Sequence, residues 1–151
     1  MEALDYITTP CGTLAITANE QGVTSIKFIE LFTQQPRLNS HTSKAKKQLM
    51  EYFEGTRKQF SLPLAPQGTP FQMTVWQALK SIEFGAVASY LDVAKMIGNA
   101  NACRAVGAAN GRNPISILVP CHRIIGSTGK LTGYAGGLAR KQWLLDHENS
   151  Q

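Results

Sequence analysis

The chain has 151 residues, 43% hydrophobic and 17% charged, with 13 Gly and 7 Pro, a composition that can bury a core and excludes disordered and collagen-like chains. Net charge is +5, and Cys11, Cys103 and Cys121 form an odd, sparse set, which argues against a disulfide framework and for a reducing compartment. No apolar run approaches the roughly 20 residues of a membrane span, and the start Met1-Glu2-Ala3-Leu4-Asp5 is acidic where a secretion signal is basic, so a cytoplasmic protein with no membrane partner is expected.

Leu4-Tyr6, Leu14-Ile16 and Val23-Ile26-Phe28 alternate as strands do. Pro10-Cys11-Gly12 and Asn19-Glu20-Gln21-Gly22 between them form turns, which predicts a short antiparallel meander. A helix follows from about Ser43, because Ala45, Leu49, Tyr52 and Phe53 share one face and Gly55 supplies a left-handed cap. The run Leu62-Pro63-Leu64-Ala65-Pro66-Gln67-Gly68-Thr69-Pro70 continues neither a helix nor a central strand. The domain boundary is placed there, giving residues 1–67 and 68–151.

Beyond the boundary Phe71, Val75, Leu79 and Ile82 recur at helical spacing until Phe84-Gly85. Ser89-Tyr90-Leu91-Asp92 reads as a capping box opening a second helix, which Gly98-Asn99 breaks. A third helix near Asn101–Asn110 carries Ala102, Ala105, Val106 and Ala109 on one face and Arg104, Gly107, Ala108 and Gly111 on the other. Two helices, a tight turn and a nearly bare third helix resemble a helix-turn-helix, although close helix packing also selects Gly and Ala. Charge bears on the choice: from Val93 to Leu145 there is no acidic residue, but there are Lys95, Arg104, Arg112, Arg123, Lys130, Arg140 and Lys141. Such a stretch is either a solvated basic face or the surface of a polyanion binder, and beside the small-faced helix it favours DNA.

Ile115–Val119 reads as a short buried strand that delivers Pro120-Cys121-His122-Arg123. A thiol of ordinary pKa, about 8.5, is only slightly ionised at neutral pH, so nucleophilic use requires a base or cation; His122 and Arg123 are the candidates. His122 serves only if the chain turns after Pro120, since neighbours on an extended chain point to opposite faces. Cys11 and Cys103 are read as inert core residues. With no CxxC or HxxxH, and His41, His122 and His147 scattered, no metal site is expected. The segment Gly133-Tyr134-Ala135-Gly136-Gly137 reads as a loop with exposed amides, and a closing helix ends in Asp146-His147-Glu148. Carboxylates there oppose the helix dipole, so they call for a partner elsewhere in the fold or mark a frayed end.

Several of these segments resemble one family in order: Phe71-Gln72, Val75-Trp76, Ser89-Tyr90, Arg104-Ala105-Val106-Gly107, Asn113-Pro114, Ile117 through Ile124, Gly133 through Leu138 and Lys141 through Leu145. The family is the O6-alkylguanine-DNA alkyltransferases, also called methylated-DNA-protein-cysteine methyltransferases. The resemblance implies an α/β (α+β) chain with a ribonuclease-H-like, strand-rich N-terminal domain and a winged helix-turn-helix-like C-terminal domain. It implies Cys121 as the acceptor of the alkyl group, once per molecule, with His122 taking its proton through a water and Glu148 orienting His122. Tyr90 would bond guanine N3, and Asn113 would brace the turn carrying the cysteine. Ile124, Tyr134, Ala135 and Lys141 would form or support the substrate pocket. Double-stranded DNA carrying O6-alkylguanine, and O4-alkylthymine as a second substrate, would be bound in the minor groove without sequence preference. Arg104 would fill the stack vacated by a flipped base, Gly107 and Ala108 would allow close approach, and Asn99 and Ser127 would contact phosphates. No cofactor is implied, and the protein would act as a monomer in a prokaryotic cytosol. Ala100 and Ala135 depart from the Pro and Ser common in the family, neither at a position where side-chain chemistry is needed.

Overall fold

The structure, a computed structural model, describes residues 2–151. Turn chemistry sets its first strands. Thr9 Oγ1 donates to the Gly12 carbonyl at 2.6 Å, closing the two-residue turn between β1 (Ala3–Thr9) and β2 (Gly12–Ala18). The Asn19 side chain accepts from the backbone N–H groups of Gln21 and Gly22 at 2.8 and 3.1 Å and so folds the link to β3 (Val23–Ile29). The strands form an antiparallel sheet in the order β1-β2-β3, with a register shift between Thr17 and Ala18.

The alternation in β1 is offset from the expected one. Ala3, Asp5, Ile7 and Thr9 are its buried positions, while Leu4 and Tyr6 are half-buried on the other face. That face carries its own cover: Phe32 meets the Tyr6 ring edge-on at 4.7 Å, and the Tyr6 hydroxyl donates to the Gln34 carbonyl at 2.8 Å.

The first helix, α1 (Ser40–Glu54), starts three residues earlier than hydrophobic spacing predicts. Asn39 and Thr42 form a reciprocal capping box, and Gly55 closes the helix at φ 85. Thr42, Ala45, Gln48, Leu49 and Tyr52 form its buried stripe, over β1 and β2. Gln48 clamps the following segment, accepting from Ser61 N at 2.9 Å and donating to Ser61 O at 3.1 Å.

The chain divides into two compact units, one ending at Gln67 and the other beginning at Gly68. Gly68 has a steric reason: a Cβ there would lie 2.5 Å from the Trp76 ring. Thr69 caps α2 (Pro70–Leu79) through a box with Gln72, with proline at the first helical position. The helix ends at Leu79, short of the expected Phe84-Gly85, although Ile82 is still buried. Ser89 and Asp92 box the start of α3 (Tyr90–Met96), and α4 (Cys103–Gly111) follows. Trp76 Nε1 donates to the Ala109 carbonyl at 2.9 Å, tying α2 to the last turn of α4.

The inward face of α4 is Val106, Ala109 and Asn110, and Ala105, expected inside, is exposed. Two residues before α3, β4 (Ala88–Ser89), pair in parallel with β5 (Ile124–Ile125), which brings the start of α3 beside the chain leaving Cys121. The last helix, α5 (Leu138–Asn149), buries Lys141, Leu144, Leu145 and Glu148. Leu138, its first residue, is 49% exposed. Among the described residues no helix is long and apolar enough to cross a membrane.

Candidate active site

The segment 115–119 is buried but is not a strand. Its hydrogen bonds close on itself, Val119 N to Ile115 O at 3.0 Å and Leu118 N to Ser116 O at 2.9 Å. Ile117 sits at φ 73, a left-handed conformation that a β-branched residue adopts only at a cost of about 1–3 kcal/mol. Asn113 holds the loop from inside, accepting from Ile115 N at 3.0 Å and donating from Nδ2 to Val119 O at 2.8 Å. The apolar residues are therefore a packed plug under a tight loop.

The chain turns after Pro120, and Cys121–Arg123 form one turn of 3₁₀ helix, with all three residues buried. The thiols differ from expectation: Cys121 is the buried one, whereas Cys11 and Cys103, read as core residues, are half-exposed. Burial pushes the Cys121 thiol up to about 11, although the Asn113 side chain and the Lys141 charge both lower it. At rest the sulfur is a protonated thiol and needs a base.

His122 is fully buried, and its Nε2 lies 2.7 Å from Glu148 Oε2. Burial drives its pKa down, against the raising effect of Glu148, so the neutral imidazole is favoured. With the Nε2 proton donated to the carboxylate, Nδ1 carries the lone pair, and Nδ1 has no hydrogen-bond partner among the described residues. A neutral imidazole held by a carboxylate next to a buried thiol has the parts of a base for that thiol.

Glu148 is gripped from several sides. Arg123 Nε donates to Oε1 at 2.8 Å and Arg123 Nη2 to Oε2 at 3.0 Å, while Gly85 N reaches Oε1 at 3.2 Å. Arg123 Nη1 also donates to the Ile82 carbonyl at 2.6 Å, and the guanidinium lies over the Phe84 ring. Burial alone would raise the Glu148 pKa, but the bonds from His122 and Arg123 outweigh it and hold the carboxyl well below the usual range. This accounts for a carboxylate near a helix C-terminus. Asp146 instead stays exposed and accepts from Gln142 Nε2 at 2.8 Å.

A second group lies on the Lys141 side. Tyr90, at the head of α3, has its hydroxyl 2.5 Å from Thr132 Oγ1. Lys141 Nζ donates to the Thr132 carbonyl at 3.1 Å. Burial lowers the Lys141 pKa, and the Cys121 sulfur raises it, which links this group to the thiol. Ile124 is buried, Tyr134 half-buried and Ala135 exposed; a turn closed by Gly137 N to Tyr134 O at 2.9 Å shapes the loop of the last two.

Arg104, Ala108, Asn99 and Ser127 are exposed rather than gathered at the thiol, and Gly107 is half-buried. A Cβ at Gly107 would meet the Tyr90 ring at 3.6 Å, an ordinary contact, so packing inside the fold does not require glycine there. Among the described residues no group of three or more His, Cys, Asp and Glu could hold a metal ion.

Two members of the site escaped the sequence reading. Sequence suggests Arg123 only as a cation for Cys121, yet its charge goes to Glu148; a basic residue next to His122 and an acid set against its own helix dipole are the available signal. Thr132 left no signal, because a loop threonine is unremarkable until its neighbours are known.

Comparison with known proteins gives one family. Residues 70–150 match the model of the 6-O-methylguanine DNA methyltransferase DNA-binding domain, and residues 4–66 match that of its ribonuclease-like domain. A methylated-DNA-protein-cysteine methyltransferase of Methanosarcina acetivorans is 46% identical over 147 residues, covering 93% of this chain and 94% of its own. The crystal structure of Mycobacterium tuberculosis O6-methylguanine methyltransferase superposes with a TM-score of 0.90 at 41% identity, covering 99% of this chain and 94% of that one. The M. tuberculosis protein crystallised in complex with DNA gives 0.88 at 44% identity, covering 96% and 91%.

Proposed function

This chain belongs to the methylated-DNA-protein-cysteine methyltransferase family, and from that premise we propose that it repairs DNA by moving the alkyl group of O6-alkylguanine, and of O4-alkylthymine, irreversibly onto its own Cys121. The observation that carries the reading is the buried Cys121 thiol on one turn with a buried His122, whose Nε2 is held by Glu148 at 2.7 Å and whose Nδ1 has no partner among the described residues.

In this reading the Cys121 proton passes through a water to His122 Nδ1. The resulting imidazolium lies between the thiolate and the Glu148 carboxylate, which stabilises it as the acid of a triad does. The sulfur attacks the alkyl carbon, the S–C bond forms as the C–O6 bond breaks, and the bond electrons leave with the guanine. Tyr90 hydrogen-bonds N3 of the departing base. Asn113 braces the turn carrying the sulfur, and Ile124, Tyr134 and Ala135 line the pocket, with Lys141 supporting their loop. A thioether has no facile reverse step, so each molecule acts once. Holding the thiol near 11 at rest keeps it unreactive until the relay ionises it.

A base inside a duplex must leave the stack to be reached, at a cost of a few kcal/mol. Arg104, exposed on α4, occupies the vacated position, while Gly107 and Ala108 let the helix approach the minor groove; Asn99 and Ser127 contact phosphates. Gly107 supports this role because nothing inside the fold demands glycine there. Binding is indifferent to base sequence, as a repair protein requires, and the protein acts as a monomer in the cytosol.

Replacing Cys121 by Ala tests the assignment. Transfer should vanish while affinity for alkylated duplex remains; transfer that persists in this variant overturns the choice of nucleophile.

A further inference from the structure

Lys141 is a buried cation without a carboxylate beside it among the described residues. Burying an ammonium in this way costs several kcal/mol. Holding a loop does not require it, since a neutral donor would satisfy the Thr132 carbonyl. What the charge does touch is informative: Nζ is 3.1 Å from Thr132 O and 3.5 Å from Thr132 Oγ1, and the same hydroxyl is 2.5 Å from the Tyr90 oxygen. Three proton-carrying groups thus stand in file, from α5 through the loop to the head of α3.

We propose that Lys141, Thr132 and Tyr90 form a proton relay that neutralises the departing guanine, with Thr132 the positioning residue that aims the Tyr90 phenol and passes the proton. The inference rests on the alkyl-transfer reading above.

Each charge is accounted for. As the S–C bond forms and C–O6 breaks, the electron pair leaves the guanine anionic over O6 and N3. The Tyr90 proton goes to N3, the Thr132 hydroxyl proton to the Tyr90 oxygen, and a Lys141 proton to the Thr132 oxygen. Thiolate and ammonium become thioether and neutral amine, and the proton taken from Cys121 stays on His122 against Glu148, so the site's total charge is the same before and after transfer. Timing follows from the electrostatics, because the Cys121 sulfur favours the charged lysine and burial opposes it. Methylation removes the sulfur's negative charge, and the lysine proton becomes easiest to release when the base needs it.

The test compares Thr132→Val, which keeps the shape and loses the hydroxyl, with Thr132→Ser, which keeps the hydroxyl. Single-turnover transfer from O6-methylguanine duplex to the full chain is measured beside duplex affinity in a Cys121→Ala background. Thr132→Val should slow transfer about 10²-fold with affinity unchanged, and Thr132→Ser should stay within about threefold of the unaltered protein. Lys141→Met should cost a similar factor, and the Thr132→Val/Lys141→Met double variant little more, because a broken relay cannot be broken twice. Equal losses in the Ser and Val variants, a parallel fall in affinity, or additive losses in the double variant overturn the relay. If Thr132→Val does not fold, the Thr132→Ser and Lys141→Met rates decide: slow Ser or fast Met contradicts it. An unaltered protein that leaves no alkyl group on Cys121 overturns the alkyl-transfer reading itself, whereas transfer by both it and Thr132→Val at one rate overturns the relay alone.

Discussion

The two units bury polar side chains for different ends. In the N-terminal unit Thr9, Thr42 and Gln48 are buried, and each serves the backbone next to it: a hairpin turn, a helix cap and a chain clamp. In the C-terminal unit His122, Arg123, Lys141 and Glu148 are buried, groups whose charged forms are costly to remove from water. His122, Arg123 and Glu148 are tied to one another, and Lys141, held by Thr132, lies close enough to the same thiol to lower its pKa. Polar burial that closes on local backbone builds a scaffold, whereas buried charges that close on each other beside a nucleophile mark a place where charge is to be moved.

Glu148→Gln should break this contrast most severely. It leaves the Arg123 guanidinium buried without its anion, at a cost of about 3–5 kcal/mol, and removes the group that holds His122. Chemical denaturation near neutral pH and single-turnover transfer should both show large losses. The sign with pH also follows. Because the folded Glu148 pKa is depressed, its contribution is present above the ordinary value of 4.5 and is lost as pH falls below it, so the gap between the unaltered protein and Glu148→Gln should narrow in acid.

Cys121 predicts the opposite limb. Its folded pKa is raised from 9.0 to about 11, so the contribution is whole below 9.0 and is lost as pH rises towards 11, about 2–3 kcal/mol in all. Denaturation midpoints across that range should fall more steeply for the unaltered protein than for Cys121→Ala. Parallel curves would mean the thiol is not shielded from water.

Arg104→Ala sharpens the contrast between reaching the lesion and reacting with it. Capture of alkylguanine within duplex DNA should weaken about tenfold or more, since nothing offsets the lost stacking, while reaction with the free base O6-benzylguanine changes little. Equal losses on both substrates would remove the flipping role. The smallest effect is expected in the scaffold unit. Asn39→Ala deletes the α1 cap and should cost about 1 kcal/mol of stability, with no change in the transfer rate.

The legibility of the chain divides along similar lines. Caps with local chemistry were readable: Ser89 with Asp92, and Gly55 in the left-handed region, are where residue preferences place them. The Asn39 box leaves little trace in the sequence, because Thr42 is an uncommon partner for its third position, and α1 starts three residues before the hydrophobic spacing begins. Residues 115–119 read as a strand because an apolar run looks alike in a strand and in a packed loop; only the Asn113 bonds and the Ile117 dihedral tell them apart. The phase of β1 was hidden because the residues covering Tyr6 lie some 26 positions away along the chain. Glu148 stood out by being misplaced against its own helix dipole, whereas Thr132 matters only through Tyr90 and Lys141, at 42 and 9 positions' separation.

The central claim is that Cys121 is a stoichiometric acceptor, and intact mass tests it most directly. The protein is incubated with a slight excess of duplex containing one O6-methylguanine and then peptide-mapped. The account predicts a gain of one methylene equivalent, confined to the Cys121 peptide and saturating at one per chain. An unchanged mass despite tight binding to the lesion would contradict it and would make this chain a lesion-recognition protein with a silent thiol.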